Sequence, residues 1–393
     1  MTILIVAGTL FSELSDTNKV IRTQGGIRLS KSNNSAAYNN QFVEILPTTS
    51  AELLKRQRSA QFIDKTRLRS ENSLIAIDQI FYRLASLKIL DPALGDLNDA
   101  TRQFWVNRVL VFQNPNGGFG EWEYDSSSIS ATYKALQILD WLGDTSINKS
   151  LVKGFLDLIR NTLTGGFNSH IQDADSDVIS TYYGIASYKL LGLTIPNELD
   201  IKILLQKAQN LNPDTAIVPS NEFGGFGLQT NNQTVFWTSG VEATRAAVMG
   251  LDLIGSSPSN VSAAIDFTQG LQAVTIGGFI DTPNPPNSVT GAYTSSALDV
   301  VYALGGTPSF PQKAIDYLLS LELPDGSFSR KDTSSSSTLK ATYFALNGLT
   351  LLGSQPANSA GTLNYILNWM PTGDGFGGTP GELPTLRETF DAV

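Results

Sequence analysis

The stretch TGGFNSHIQDADSDVISTYYGIASYKLLG, residues 164–192, contains the unit from which the chain is built. A Gly-Gly-Phe turn is followed by an acidic loop, and an apolar run then ends at Gly192. Asp177 and Ser180 are candidate N-caps, because a short side-chain oxygen can accept the free amide hydrogens of a first helical turn. Gly192 stands where a helix end favours a residue that tolerates positive φ. The stretch therefore predicts a turn, a loop, a helix and a stop.

The same unit recurs along the chain with a nearly constant period. A threonine near the start of each predicted helix marks it, and successive threonines are separated by 49, 63, 50, 48 and 47 residues: Thr132, Thr181, Thr244, Thr294, Thr342 and Thr389. Between one stop and the next turn there is room for a second helix, so each repeat is a helix pair that buries its apolar face against its neighbours. An insertion near Asn212–Ser220 accounts for the long step.

The two helices of each pair differ in character. The helix after the turn is apolar on nearly all sides, as in Ala341–Leu352, whereas the helix before it is amphipathic, as in Val152–Arg160. A helix that is apolar on every side belongs inside a fold. The repeats therefore predict an inner ring of apolar helices surrounded by an outer ring that faces water.

Domain boundaries follow from where the repeats begin. Residues 1–70 are expected to form a partly irregular N-terminal segment, with a charged helix near 51–69, and residues 71–393 one repeat domain that starts with an apolar helix near 74–90. The last inner helix begins near Leu386. Either the ring closes against the N-terminal segment or the sequence is part of a longer protein.

Composition excludes several classes of function. The net charge of −9 gives no electrostatic footprint for nucleic acid, and no apolar run approaches the roughly 20 residues that cross a bilayer. The chain has no cysteine, so disulfides and thiolate zinc sites are impossible, and His170 is its one histidine. Thr2–Phe11 lacks the basic region of a signal peptide, which slightly favours the cytoplasm over an extracellular location.

The Gly-Gly-Phe turns, the Thr-Tyr helix starts and the Leu-Gly stops resemble the prenyltransferase and squalene-cyclase repeat family over roughly residues 74–393. The resemblance implies an all-α fold, an α/α toroid of about six helix hairpins of about 50 residues each. Members of the family include protein prenyltransferase β subunits, which are closest in pattern, class II terpene cyclases and the thioester domains of complement-like proteins. The thioester chemistry needs a cysteine that this chain lacks.

Protein prenyltransferases hold zinc with an Asp, a Cys and a His. By resemblance, those positions fall on Asn231, Gln233 and Ala341 in this chain. Two amides and a methyl group do not replace a carboxylate, a thiolate and an imidazole as zinc ligands. We therefore expect no zinc site and no cofactor.

Class II terpene cyclases protonate an alkene with an Asp-x-Asp-Asp motif, whose position here reads Asp177-Val178-Ile179-Ser180. The catalytic aspartate of the motif is missing. Asp173, Asp175 and Asp177 could still crowd together so that one carboxyl has a raised pKa and acts as an acid. The alternatives are an exposed loop with Asp177 as a helix cap, or a weak calcium-binding loop.

Aromatic side chains near the starts of the inner helices are the candidate ligand-binding residues, because in a toroid these helix ends converge on one opening: Tyr133, Tyr182, Tyr183, Phe236, Trp237, Tyr293 and Tyr343. Core packing is the alternative interpretation. Glu242 and Arg245 are charged residues on an otherwise apolar inner helix, so they either pair with each other or face the cavity. Glu242 is a further candidate acid and Arg245 a further ligand-binding residue.

Three functions remain open from the sequence. The first is an apolar, aromatic-lined pocket that binds an isoprenoid-like ligand without zinc. The second is a non-catalytic module that recognises a protein partner or serves a structural role. The third is a carbohydrate-active toroid with Glu121, Glu123 and Asp125 as acids beside Trp122 and Tyr124. The sequence leaves open whether the protein is an enzyme.

Overall fold

A computed structural model of the chain describes residues 76–94, 97–123, 125–211, 220–228, 238–283, 288–331 and 336–368. The helix expected near 51–69, the rest of the N-terminal segment and the helix expected near Leu386 lie outside the described residues. Across the described ranges the fold is all-α, as the sequence predicts, and its extended segments pair only as isolated bridges.

The described helices alternate between two rings. The inner helices are Ile77–Leu90 (α1), Ile129–Leu142 (α3), Val178–Leu190 (α5), Val241–Leu253 (α7), Gly291–Ala303 (α9) and Leu339–Leu351 (α11). The outer helices are Asp99–Leu110 (α2), Lys149–Leu158 (α4), Glu198–Lys207 (α6), Val261–Gly270 (α8), Pro311–Ser320 (α10) and Ser359–Asn368 (α12). These six pairs confirm the repeat that the threonine spacing predicts.

The inner helices form a closed ring. Each one packs against the next in chain order, and α11 packs against α1, so the first and last inner helices are neighbours. The outer helix α12 also packs against α1, where the guanidinium of Arg83 donates a hydrogen bond to the carbonyl oxygen of Leu367 at 2.7 Å. The ring therefore closes within residues 77–368.

The turn phenylalanines explain why a threonine follows at a fixed place in every repeat. All five described phenylalanines are fully buried, and each backbone N–H donates to the hydroxyl oxygen of the threonine in the next inner helix. The bonds are 3.0–3.2 Å long: Phe119 to Thr132, Phe167 to Thr181, Phe226 to Thr244, Phe279 to Thr294 and Phe328 to Thr342. The threonine thus satisfies a buried donor that would otherwise be costly to the fold.

The first glycine of a turn is needed because it lies against the next outer helix. Gly224 has φ +93°, and a Cβ built on it would lie 2.0 Å from the carbonyl oxygen of Ala263 in α8. Any larger residue would push the turn away from that helix. The turn glycine therefore sets how closely successive repeats approach each other.

The ends of helix α5 confirm the predicted cap and stop. The carboxylate of Asp177 accepts a hydrogen bond from the backbone N–H of Ser180 at 2.7 Å, so Asp177 is the N-cap. Ser180 is not the cap, because it lies inside the first turn and its hydroxyl donates to Asp177 at 2.6 Å. Gly192 follows the helix with φ +68°.

The barrel interior as a candidate functional site

One repeated hydrogen bond brings the inner helix starts to the same end of the barrel. The first N–H of each of five inner helices donates to the carbonyl two residues after the phenylalanine of the next turn. The pairs are Ile77 to Glu121, Ile129 to Ser169, Val178 to Leu228, Val241 to Asp281 and Gly291 to Arg330, at 2.9–3.2 Å. We call this end of the barrel the mouth, and the residues of these loops form its rim.

Below the mouth, aromatic side chains from four inner helices contact each other, and we call this set the aromatic layer. Its members are Phe81 and Tyr82 of α1, Tyr133 of α3, Tyr182 and Tyr183 of α5, and Tyr343 and Phe344 of α11. The rings of Tyr133 and Tyr183 stack with centroids 5.1 Å apart. Those of Tyr82 and Tyr343 lie 5.5 Å apart across the closure of the ring.

The structure thus brings together four of the aromatic residues that the sequence singles out, namely Tyr133, Tyr182, Tyr183 and Tyr343. Phe81, Tyr82 and Phe344 are not among the site residues that the sequence predicts. Their positions in the sequence could have identified them, because every member of the layer is the fifth or sixth residue of its helix. Tyr293 lies nearer the rim and belongs to no ring pair among the described residues, and Phe236 and Trp237 lie outside them.

The remaining part of the barrel wall at this depth is polar. Nε of Arg245 in α7 donates to the carboxylate of Asp299 in α9 at 2.6 Å. The side-chain amide of Asn347 in α11 donates to Asp299 at 3.3 Å and to the hydroxyl of Ser295 at 2.9 Å. Arg245 therefore pairs with Asp299 rather than with Glu242. Asp299 was detectable as the one carboxylate in the apolar stretch 291–303.

Arg245 of α7 lies within electrostatic reach of groups on three other inner helices, α5, α9 and α11. Burial alone would lower its pKa, but Asp299 and the surrounding hydroxyl groups outweigh this and raise the pKa well above its ordinary value. Tyr182 and Tyr343, on two other inner helices, are among these groups. The side chain nevertheless remains 19% exposed. Since inner helices surround it, this exposed area faces the inside of the barrel.

Glu242 lies at the mouth, in the first turn of α7, and is exposed. Nearby protein groups partly desolvate its carboxyl group, which raises the pKa, and the negative charge of Asp281 raises it further. Lys340 and Arg330 act in the opposite direction. The pKa of Tyr293 is also raised, by burial and by Asp281. The mouth therefore combines carboxyl groups, cations and a phenol above the aromatic layer.

A second charged cluster lies where α1 meets α3. Lys134 forms an ion pair with Asp78, whose backbone N–H donates to the carboxyl group of Glu121 at 3.1 Å. Burial, together with the negative charge of Asp78, raises the pKa of Glu121 to about 7. Glu121 thus binds a proton in the range where an ordinary glutamate has lost it.

The three acids of the carbohydrate hypothesis do not share one pocket. Glu121 holds the start of α1, whereas Glu123 lies 3.9 Å from the guanidinium of Arg108 on the outer helix α2. Asp125 is exposed and accepts the backbone N–H of Ser126 at 2.8 Å. Trp122 is near them in sequence, and Tyr124 lies outside the described residues.

The acidic loop ahead of α5 uses its carboxylates locally. Asp173 accepts the backbone N–H of His170 at 2.7 Å, Asp177 caps α5, and Asp175 is exposed. Over the described ranges, no group of three or more His, Asp or Glu side chains is arranged to hold a metal ion. The calcium-loop alternative therefore has no support from the geometry of these three aspartates.

Of the three positions that correspond to zinc ligands, the structure describes only one. Ala341 is buried in the first turn of α11, where it presents a methyl group. Asn231 and Gln233 lie outside the described residues.

The fold and the repeats identify the family. The chain matches the model of the prenyltransferase alpha-alpha toroid domain over residues 54–222 and 236–393, and it belongs to this family. A comparison with curated proteins returned no significant match. Within the part of the chain that the structure describes, no helix has the length and apolar character needed to cross a membrane.

Solved structures with the same fold come from several organisms. Protein geranylgeranyltransferase-I from Candida albicans, complexed with GGPP, is 17% identical with a TM-score of 0.57, and the match covers 80% of this chain and 99% of that one. The type II terpene cyclase MstE from Scytonema is 12% identical with a TM-score of 0.48, covering 76% and 97%. A protein from Actinoplanes is 18% identical with a TM-score of 0.47, covering 77% and 100%. At these identities the likeness concerns the fold alone.

Proposed function

We propose that the interior of the barrel binds an isoprenoid-like ligand, an elongated apolar molecule with unsaturated bonds, without zinc. The observation that carries the proposal is the aromatic layer, in which rings from four of the six inner helices converge below a charged mouth. Aromatic faces suit an unsaturated hydrocarbon chain because they offer large apolar contact areas with little conformational entropy to lose. Pockets of this kind, apolar with a few polar groups, are typical of small-molecule sites.

The partial exposure of three side chains inside the barrel supports the proposal that a ligand fits there. Arg245, Tyr183 and Phe344 all keep some accessible surface although they lie inside the ring of inner helices. An accessible surface at this depth requires a space beside it. Geranylgeranyl diphosphate is the first ligand to try, because the Candida protein of the same fold was solved with GGPP.

Glu242 is the strongest candidate for an acid if the protein transforms its ligand. Its raised pKa and its position at the mouth would let it hold a proton beside whichever end of a ligand lies at the mouth. Asp173, Asp175 and Asp177 remain weaker candidates, because the first and last accept backbone hydrogen bonds within their own loop. Tyr293 would contact the same end of the ligand.

Native mass spectrometry with geranylgeranyl diphosphate and geranylgeraniol tests the proposal. We expect at least one of them to form a one-to-one complex that Tyr183→Ala weakens, since this ring is the partly exposed member of the stacked pair. Tyr302→Ala is the matched control, because this partly buried tyrosine lies at the opposite end of inner helix α9. Failure of both probes to bind would overturn the proposal.

The second candidate is a recognition or structural module, and one observation favours it. Tyr82, Tyr133, Tyr182 and Tyr343 are each no more than 8% exposed, so these rings are largely covered by each other and by their neighbours. If the probes do not bind, the aromatic layer is core packing and the charged mouth becomes the surface to test for a protein partner.

A further inference from the structure

We propose that Arg245 holds a carboxylate inside the barrel, so that the ligand is an apolar monocarboxylic acid whose charged end is enclosed by the inner helices. This inference rests on the proposed function, because it names the polar group of the same ligand. In this proposal Arg245 binds the carboxylate of the ligand in addition to its ion pair with Asp299.

The guanidinium of Arg245 is held on one side by Asp299, and on the other side it has no acceptor among the described residues. Its Nε–H donates to Asp299, and no described residue accepts a hydrogen bond from its two terminal nitrogens. A guanidinium has five N–H donors, so four of them have no acceptor among the residues that the structure describes. Because the terminal nitrogens form a planar fork, they match the two oxygens of a carboxylate.

Asp299 is itself held in place by other side chains, so the orientation of Arg245 is set before a ligand binds. Its carboxylate is 4% exposed and also accepts a hydrogen bond from Asn347, whose side chain in turn binds Ser295. A partner that is held in this way fixes the orientation of the group that contacts the ligand. The two terminal nitrogens of Arg245 therefore point in a defined direction before a ligand binds.

The surroundings of Arg245 select a ligand that is apolar apart from its acid group. Tyr182 and Tyr343 lie within electrostatic reach of the guanidinium, and both belong to the aromatic layer. A hydrocarbon chain attached to the bound carboxylate would therefore contact these rings.

The distribution of charge favours a carboxylate over a diphosphate at this depth. Arg245 is already paired with Asp299, and Lys134 is paired with Asp78. A diphosphate carries several negative charges, and burying them without matching cations is costly. Lys340 and Arg330 are exposed at the mouth, where Nζ of Lys340 lies 5.6 Å from the centroid of the Tyr82 ring.

The test compares three probes with the same hydrocarbon tail, namely geranylgeranoic acid, geranylgeraniol and geranylgeranyl diphosphate, by isothermal titration calorimetry on the full chain. We expect the acid to bind about tenfold or more tightly than the alcohol, as one charge-assisted hydrogen-bond pair would give. Arg245→Lys should abolish this preference, because it keeps the charge but loses the fork.

A second variant is needed in case Arg245→Lys leaves a lone charge inside the barrel that prevents folding. Arg245→Leu combined with Asp299→Leu removes both partners, and we expect it to bind the alcohol while losing its preference for the acid. Lys313→Met removes a cation from the outer helix α10 and should leave the preference unchanged.

Equal binding of acid and alcohol, tightest binding of the diphosphate, or an acid preference that survives in the double variant would each overturn this inference while the proposed function stands. Failure of all three probes to bind would overturn both.

Discussion

The hydroxyl oxygen of Thr342 lies 3.2 Å from the backbone nitrogen of Phe328 and accepts its hydrogen bond. The two residues belong to different elements, a turn and the inner helix that follows it, and both are fully buried. The bond therefore fixes the position of each turn relative to its helix. The same contact recurs in five repeats, so it is a property of the fold rather than of one site.

Thr342→Val should lower the free energy of unfolding by about 1–3 kcal/mol, because it leaves the buried N–H of Phe328 without an acceptor while preserving shape. Urea unfolding followed by circular dichroism measures the change. Thr350→Val on the same helix is the matched control, since Thr350 is only partly buried. Equal losses in the two variants would contradict the role of the hydrogen bond.

Gly224→Ala should destabilise the fold more than Gly255→Ala. Both glycines have positive φ, which costs an alanine about 1–2 kcal/mol. Only at Gly224 would the new Cβ collide with a carbonyl oxygen of the next outer helix, whereas nothing lies within 4 Å at Gly255. We expect an additional loss of about 1–3 kcal/mol in urea unfolding. Similar losses would mean that the turn moves aside freely.

Stability should fall as the pH rises from about 4.5 towards about 7, in part because of Glu121. Its pKa is about 7 in the folded chain, against an ordinary value of 4.5. Between these two pKa values the folded chain holds a proton that the unfolded chain has released. The contribution of Glu121 to the free energy of unfolding is therefore fully present below the pKa of the unfolded chain and is lost as the pH rises through the pKa of the folded chain.

Glu121→Gln keeps an acceptor for the backbone N–H of Asp78 but cannot ionise. Urea unfolding at about pH 5 and about pH 8 should therefore show a smaller pH-dependent loss in this variant than in the native chain. Glu123→Gln is the control, since among the described residues Glu123 makes a long ion pair with Arg108 and does not contact the start of α1. An unchanged pH dependence in Glu121→Gln would show that other groups are responsible.

Arg83→Met should loosen the closure of the ring. Arg83 is buried in α1, where burial lowers its pKa to about 10, so it stays charged at neutral pH and donates to Leu367. Loss of a charge-assisted bond of this kind costs about 1.5–3 kcal/mol. Hydrogen exchange in residues 359–367 should accelerate.

Arg102→Met provides the comparison for this prediction. Arg102 also donates to backbone carbonyls, those of Leu94 and Leu97, but these lie in its own part of the chain. Its loss should leave exchange in α12 unchanged. Faster exchange in both variants would indicate general destabilisation instead of an opened ring.

The architecture could be predicted from the sequence because it depends on local signals that repeat. Turn glycines, a cap such as Asp177 and a threonine at a fixed distance recur about every 50 residues, and each signal has a short-range physical cause. The pairing of Arg245 is different in kind. Glu242 is three residues away along the same helix, yet the partner is Asp299, 54 residues further on.

The partner of Arg245 depends on which face of α7 packs against α9. A local sequence pattern does not determine this face. The same limit applies to Glu121, whose raised pKa arises from its position against the start of α1, a helix that begins 44 residues earlier. The candidate aromatic residues were partly accessible to prediction because they share one offset in each helix. Phe81, Tyr82 and Phe344 could have been found by applying that offset to every repeat.

The contact between α11 and α1 also determines how such a protein can change over evolutionary time. Open solenoids grow or shrink by whole repeats, because each unit touches only its neighbours and the two ends are free. Within the described residues this ring has no free end, so an added or deleted repeat would break a contact on both sides of the closure. New specificity is therefore confined to substitutions at fixed places, the side chains that face the axis and the loops of the mouth.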